Sequence, residues 1–258
     1  MDVTVVSGVG PEKGLGAQLS IRFAQEGMHI LVCGRTKAKL DHVVDLIQKK
    51  GGSAEAVVAD ATDESKTVEL FETAKARGNL KLAIYNTGNN TPGKIVDMEA
   101  SYFEESWRVC CFGGFLFARE ALKQFQSSKD GVLLFTGASA SLRGRPNFGA
   151  FNSSKGALRN LAQAIAREYG PEGVHVGHVV VDGPIGGEKI INRFPEYAKK
   201  LGEEGMISIE GIVEAFVYLY RQPKNAWTFE VDVRLSLIHI SEPTRLRRIS
   251  YAVFCLKK

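Results

Sequence analysis

Ser7-Gly8-Val9-Gly10-Pro11-Glu12-Lys13-Gly14-Leu15-Gly16 joins an apolar run at 2–7 to a helical pattern at 15–26. A glycine-rich link between a strand and a helix lets backbone approach a pyrophosphate closely, and the helix start aims free N–H groups and a positive dipole end at it. Reading the motif from Gly8 leaves five residues before Gly14, and reading it from Gly10 leaves three. Both readings stay open, so Gly8, Gly10, Lys13, Gly14, Leu15 and Gly16 are all candidates for a phosphate-binding turn.

Outward from this turn, short apolar runs alternate with helical periods. Strands are predicted near 2–7, 29–34, 54–59, 82–86, 131–136, 174–181 and 227–233, and helices near 15–26, 37–50, 64–76, 100–126, 150–169 and 209–221. Seven strands and six crossovers make an α/β fold with a doubly wound parallel sheet of the Rossmann type, covered on both faces in three α/β/α layers. Residues 1–234 are read as a single domain. Polar and glycine-rich motifs fall after successive strands, where such sheets open a crevice. Residues 8–16 follow the first strand, Arg35 the second, Asp60-Ala61 the third, Asn86-Thr87-Gly88 the fourth, Ser139 the fifth, and 182–187, with Gly183 and Ile185, the sixth. The long irregular stretch at 186–208 is read as a substrate lid.

Composition excludes several classes of function. The chain has 258 residues, 44% hydrophobic and 24% charged, enough to bury a large core and unlike a disordered or fibrous protein. Met1 leads into Val3-Thr4-Val5-Val6 without the charged and apolar segments of a signal peptide, so a cytoplasmic location is expected. Cys33, Cys110, Cys111 and Cys255 lack metal-ligand spacing, and His175 and His178, flanking a predicted strand, are read as packing or edge residues. The net charge of +4 resides in 235–258, where five basic residues face one acid. Leu235-Ser-Leu-Ile-His-Ile-Ser-Glu-Pro-Thr-Arg245 resembles a translated sequencing adapter, and the tail is expected to be non-native and dispensable. Without it the chain is neutral, which removes the support for a nucleic-acid or membrane partner.

With Asn86-Thr87-Gly88, Gly113 and Lys155 added to the glycine turn, the chain resembles the short-chain dehydrogenase/reductase family over essentially all of 1–234. The resemblance implies a Rossmann-type domain that binds NAD(H) or NADP(H) and transfers hydride to or from a carbonyl or alcohol. NAD binders place an acid after the second strand; here that end reads Cys33-Gly34-Arg35-Thr36, and with Lys13 it favours NADP(H) over NAD(H). Asp60 resembles the family residue that faces adenine. The family's lysine is Lys155, but its tyrosine position holds Phe151, and the alternative slot used by enoyl reductases holds Phe148. The serine position is Ala138, with Ser139 beside it and Ser141 beyond, and the asparagine position is Cys110. Two readings follow. One is an oxidoreductase whose protons come from solvent, Ser139, Asn152 or the substrate; the other is a cofactor-binding homologue without turnover, a sensor or assembly partner. By family analogy, the helices at 100–126 and 150–169 are expected to pair copies of the chain into a dimer or tetramer, with Phe112, Phe115, Phe117 and Leu122 too widely spread for one internal face.

Overall fold

Strands that read as unbroken apolar runs need cover on both faces, and the computed structural model, which describes residues 1–236, provides it. Seven parallel strands, β1 (Asp2–Ser7), β2 (His29–Gly34), β3 (Ser53–Val58), β4 (Asn79–Tyr85), β5 (Gly131–Thr136), β6 (Val174–Asp182) and β7 (Glu230–Arg234), line up as β3-β2-β1-β4-β5-β6-β7. Val5 pairs with Leu31 on one side and Ala83 on the other. The order reverses between β1 and β4, so the crevice opens beyond their carboxyl ends.

The two-residue period sends alternate side chains to two cores. Val6, Ile30 and Val32 pack with Leu19 and Phe23 of α1 (Leu15–Ala24), Leu40 of α2 (Lys37–Lys49) and Phe216 of α9 (Ile209–Tyr220). Val3, Val5 and Leu31 face the other layer, built from α3 (Glu64–Arg77), α5 (Gly113–Ser128) and α6 (Gly149–Tyr169). There Phe71 meets Phe117 edge-on at 5.0 Å, a geometry worth about 1 kcal/mol beyond the buried area.

Three expectations change. The helix expected at 100–126 is α4 (Ala100–Trp107), a π turn at Arg108–Phe112, then α5. The buried Tyr85 hydroxyl donates to the Val109 carbonyl at 2.6 Å and so anchors the wide turn from inside. The stretch at 186–208 is not irregular throughout but carries α7 (Glu188–Arg193) and α8 (Pro195–Leu201). Phe117 and Leu122 are core residues, so of the four apolar residues named only Phe112 and Phe115 remain toward the outer side. The tail expected to be dispensable lies, from residue 237 on, outside the described residues. Among those described, no helix is long and apolar enough to cross a membrane, and no group of three or more His, Cys, Asp or Glu is placed to hold a metal ion.

His175 and His178 lie within β6 rather than beside it. The His175 ring stacks on Trp227 at 5.0 Å, with Nε2 on the Thr228 carbonyl. Burial keeps His178 below its ordinary range, so it reaches Glu230 as the neutral ring, Nδ1 to Oε2 at 2.9 Å. His178 and the two-pronged Arg159 guanidinium hold the Glu230 carboxyl at about 2, against an ordinary 4.5. A depressed carboxyl stabilises the fold fully above its unfolded pKa and loses that contribution as pH falls toward its folded one. Glu230→Gln should therefore lose about 2–3 kcal/mol at neutral pH. Urea melts across pH 7 to 2 should show the wild-type advantage beginning to fall near pH 4.5 and disappearing only toward about pH 2.

Candidate active site at the carboxyl edge of the sheet

The glycine turn is shaped by close approach. Gly8 has φ +78, and a Cβ there would lie 2.7 Å from the Asn86 carbonyl carbon; one on Gly16 would lie 2.6 Å from the Gly8 oxygen. Backbone, not side chain, fills both contacts, so neither position can carry a larger residue without moving the β1–β4 junction. Gly8 is thus the first structural glycine, and the two extra residues before Gly14 fold into a turn closed by the Gly14 amide on the Pro11 carbonyl at 3.0 Å. Gly10 has open space on its Cβ side. Gly14 caps α1, whose first turn starts at Leu15, holds no acid and receives no side-chain cap. A backbone cradle with uncommitted N–H groups fits a pyrophosphate.

At the β2 end, the residue that follows the strand is Arg35. The Arg35 side chain is 74% exposed and comes only to 4.0 Å of Asp60. Asp60 is fixed from behind, its Oδ1 accepting the Thr62 amide and hydroxyl, each at 2.8 Å. The neighbouring Ala61 carbonyl presses on α5, 2.7 Å from where a Cβ on Gly113 would stand. Lys13 is exposed, but its backbone is clasped to the start of α7: its amide donates to Glu188 Oε1 at 3.1 Å, and its carbonyl accepts the Glu188 amide at 3.0 Å. A short pairing of Ile185 with Ile207 closes the base of this segment, with Gly183 packed against the Ile207 side chain.

The other end of the cleft gathers Lys155, Phe151, Cys110 and Gly88. The Lys155 ammonium is buried and donates to the Thr136 carbonyl at 2.8 Å, and burial pushes its pKa below the ordinary lysine range. Phe151 lies one turn earlier on α6, its ring centre 6.0 Å from Nζ. A Cβ on Gly88 would stand 3.5 Å from Lys155 Nζ and 3.8 Å from Cys110 Sγ, so the glycine leaves the space between them open. The π turn delivers Cys110, whose thiol faces Asn89 Oδ1 at 3.8 Å. Phe148 caps α6, and its backbone bridges to Gly93.

Several polar groups that the sequence offers are already committed. Ser141 donates to the Ala138 carbonyl at 2.7 Å, and Asn152 donates to the Arg145 carbonyl at 3.1 Å. Asn86 braces the edge, its amide on the Gly8 carbonyl and its oxygen accepting the Thr136 hydroxyl at 2.9 Å. Buried Ser139 hydrogen-bonds Asp182. Sequence reading missed Thr136, which acts through a backbone carbonyl and so carries no side-chain signal. It also missed Arg143 and Arg145, which look like loop charges until they converge on Asp182.

The sequence model of the short chain dehydrogenase family matches residues 4–186. Elsinochrome reductase 1 of Elsinoe fawcettii is 30% identical over 183 residues, 70% of this chain and 67% of its own length. The glucose 1-dehydrogenase of Gluconobacter oxydans is 28% identical over 66% of this chain and 65% of its own. The chain thus spans about two thirds of the length of these relatives. A short-chain dehydrogenase from Rhodopseudomonas palustris superposes with TM-score 0.77 at 33% identity, over 90% of this chain and 97% of that one. An actinorhodin polyketide ketoreductase solved with NADPH shares the fold, with TM-score 0.82 at 16% identity over 92% and 97%. The matched segment carries the glycine turn, the switch-point crevice and Lys155 together, and on these grounds the chain belongs to the short-chain dehydrogenase/reductase family.

Proposed function

We propose that the protein is an NADP(H)-dependent oxidoreductase acting in the cytoplasm on a small to medium carbonyl, alcohol or activated alkene. The observation that carries this reading is Lys155, buried at the floor of the cleft and hydrogen-bonded to the Thr136 carbonyl, in line with the glycine turn. A bound nicotinamide supplies or accepts hydride. Gly8, Gly10, Gly14, Leu15 and Gly16 would cradle its pyrophosphate, Asp60, Ala61, Asn86 and Gly88 would line the path between, and Gly183 and Ile185 would close it from the lid base.

Proton handling departs from the family pattern. Phe151 has no transferable proton, Ser139 directs its own toward Asp182, and the Asn152 amide is tied to a carbonyl. Reduction of an activated C=C bond tolerates this best, because the carbon proton can come from solvent. The two phenylalanines at both tyrosine slots equally support the second reading, an NADP(H)-binding homologue without turnover. Phe151→Tyr separates the two. Phe151 is only half-buried, so a hydroxyl has room. In a decayed dehydrogenase, NADPH-dependent reduction of a carbonyl panel should rise by about tenfold or more. In an enzyme with another proton source, the native activity should hold or fall slightly. No turnover in either form, with NADPH binding intact, points to the non-catalytic homologue.

NADP(H) preference rests on Arg35, whose loose approach to Asp60 costs little to break. Arg35→Glu should weaken NADPH binding about a hundredfold while leaving NADH binding equal or better. Equal losses in calorimetric titration would remove Arg35 from the phosphate.

Self-association belongs to the same proposal. Phe103, Trp107 and Phe115 are exposed on α4 and α5, and Trp107 stacks on Phe112. With α6 they would form the dimer or tetramer surface. Sedimentation at micromolar concentration should show an oligomer that Phe115→Glu dissociates; a wild-type monomer would refute it.

A further inference from the structure

We propose that the substrate carries an oxyanion, a carboxylate or a phosphate, which Arg143 and Arg145 bind and which Asp182 holds them in place to receive. The inference rests on the reading of this cleft as the substrate site and adds the chemical class of what enters it.

Asp182, the last residue of β6, is completely buried. Its Oδ2 accepts Arg143 Nη2 at 2.8 Å, and its Oδ1 accepts Arg145 Nη2 at 3.2 Å. Arg234 approaches to 3.6 Å from the end of β7 and also pairs with Asp232. Burial pushes the Asp182 carboxyl up, but Ser139 and the two loop arginines outweigh it and hold the group below the ordinary carboxylate range. It is therefore an anion at neutral pH. Arg143 and Arg145 bring two positive charges to the single carboxylate of Asp182.

A guanidinium has five N–H donors, and Arg143 and Arg145 each spend one nitrogen on Asp182. Their remaining donors find no acceptor among the described residues, and the side chains are 34% and 47% exposed. Two forks pinned from behind and open in front suit bidentate capture of an oxyanion.

Their place in the fold puts them beside the chemistry. They follow Ser139 by four and six residues, and the Asn152 amide ties the Arg145 carbonyl to α6, the helix carrying Phe151 and Lys155. The lid adds Lys189, near enough to Lys155 to push that lysine's pKa down further, and Arg193, which donates to Thr91 Oγ1 at 3.0 Å.

The test uses the full chain saturated with NADP+, so that Arg35 and Lys13 are occupied, titrated with benzoate, phenyl phosphate and benzamide. At least one anion should bind ten times more tightly than benzamide, and whichever does identifies the oxyanion. Arg143→Gln with Arg145→Gln should abolish that margin, while Arg221→Gln, which breaks only a pair with Glu26 elsewhere, should not. Should the double variant fail to fold with Asp182 stripped of its two closest arginines, adding Asp182→Asn removes the buried charge, and the same loss is expected. Equal or absent responses to all three probes, or a margin that survives the double variant, overturn the proposal. NADPH affinity, measured on the same samples, separates the two levels: anion indifference with tight NADPH binding refutes only the oxyanion, whereas failure to bind NADPH refutes the parent reading.

Discussion

One run of hydrogen bonds ties the two ends of the cleft together. The Gly8 carbonyl receives the Asn86 amide, Asn86 receives the Thr136 hydroxyl, and the Thr136 carbonyl receives the Lys155 ammonium. The run crosses β1, β4 and β5 at the point where strand order reverses, so it fixes the glycine turn and Lys155 in one frame. It works only because Gly8 and Gly16 let backbone pass within contact distance of Asn86 and of each other. The sheet supplies the stiffness, since every strand in the run is buried on both faces. The segment carrying α7 and α8, by contrast, is fastened at its base through the Glu188 clasp and the Ile185–Ile207 pairing, outside this frame.

The frame was legible in the sequence because it obeys local rules. Apolar runs with a two-residue period, helical periods between them and glycines after the first strand all repeat a single geometric demand, and the strands fall within a few residues of where they were predicted. What escaped prediction depends on contacts between distant segments. The π turn exists because Tyr85, on β4, reaches the Val109 carbonyl, and nothing in the periodicity of 100–126 announces a partner from another element. Phe117 and Leu122 look surplus on a helical wheel until α3 and α6 are packed around α5. The spacing ambiguity at Gly8 and Gly10 was a real one, resolved by Asn86 from another strand.

The site residues divide along the same line. Lys155 was readable from its family position, but its environment was not: a buried ammonium whose only hydrogen-bond partner among the described residues is a carbonyl is held partly toward its neutral form by burial. Ser139 was readable as a hydroxyl near the chemistry, yet its direction was not. Its neighbour there is the buried Asp182 carboxylate at the end of β6, whose pKa Ser139 helps to lower.

The charge distribution follows from these two commitments. Burial lowers the pKa of Lys155, and no carboxylate among the described residues is close enough to pair with its ammonium. Asp182, fully buried at this edge, meets the two guanidinium groups of Arg143 and Arg145. Burying a lone ammonium is costly, and the cost falls when a negative charge enters the same low-dielectric space. A cleft left this cationic is electrostatically incomplete by itself. Both the phosphates of a nicotinamide cofactor and an oxyanion beside Arg143 and Arg145 would complete it, each making the other's neighbourhood less positive. Charge alone therefore couples the two ligands unfavourably. Productive binding of both must draw its free energy from the directional contacts, the backbone cradle at one end and the arginine forks at the other, which is where this chain has placed its most rigid groups.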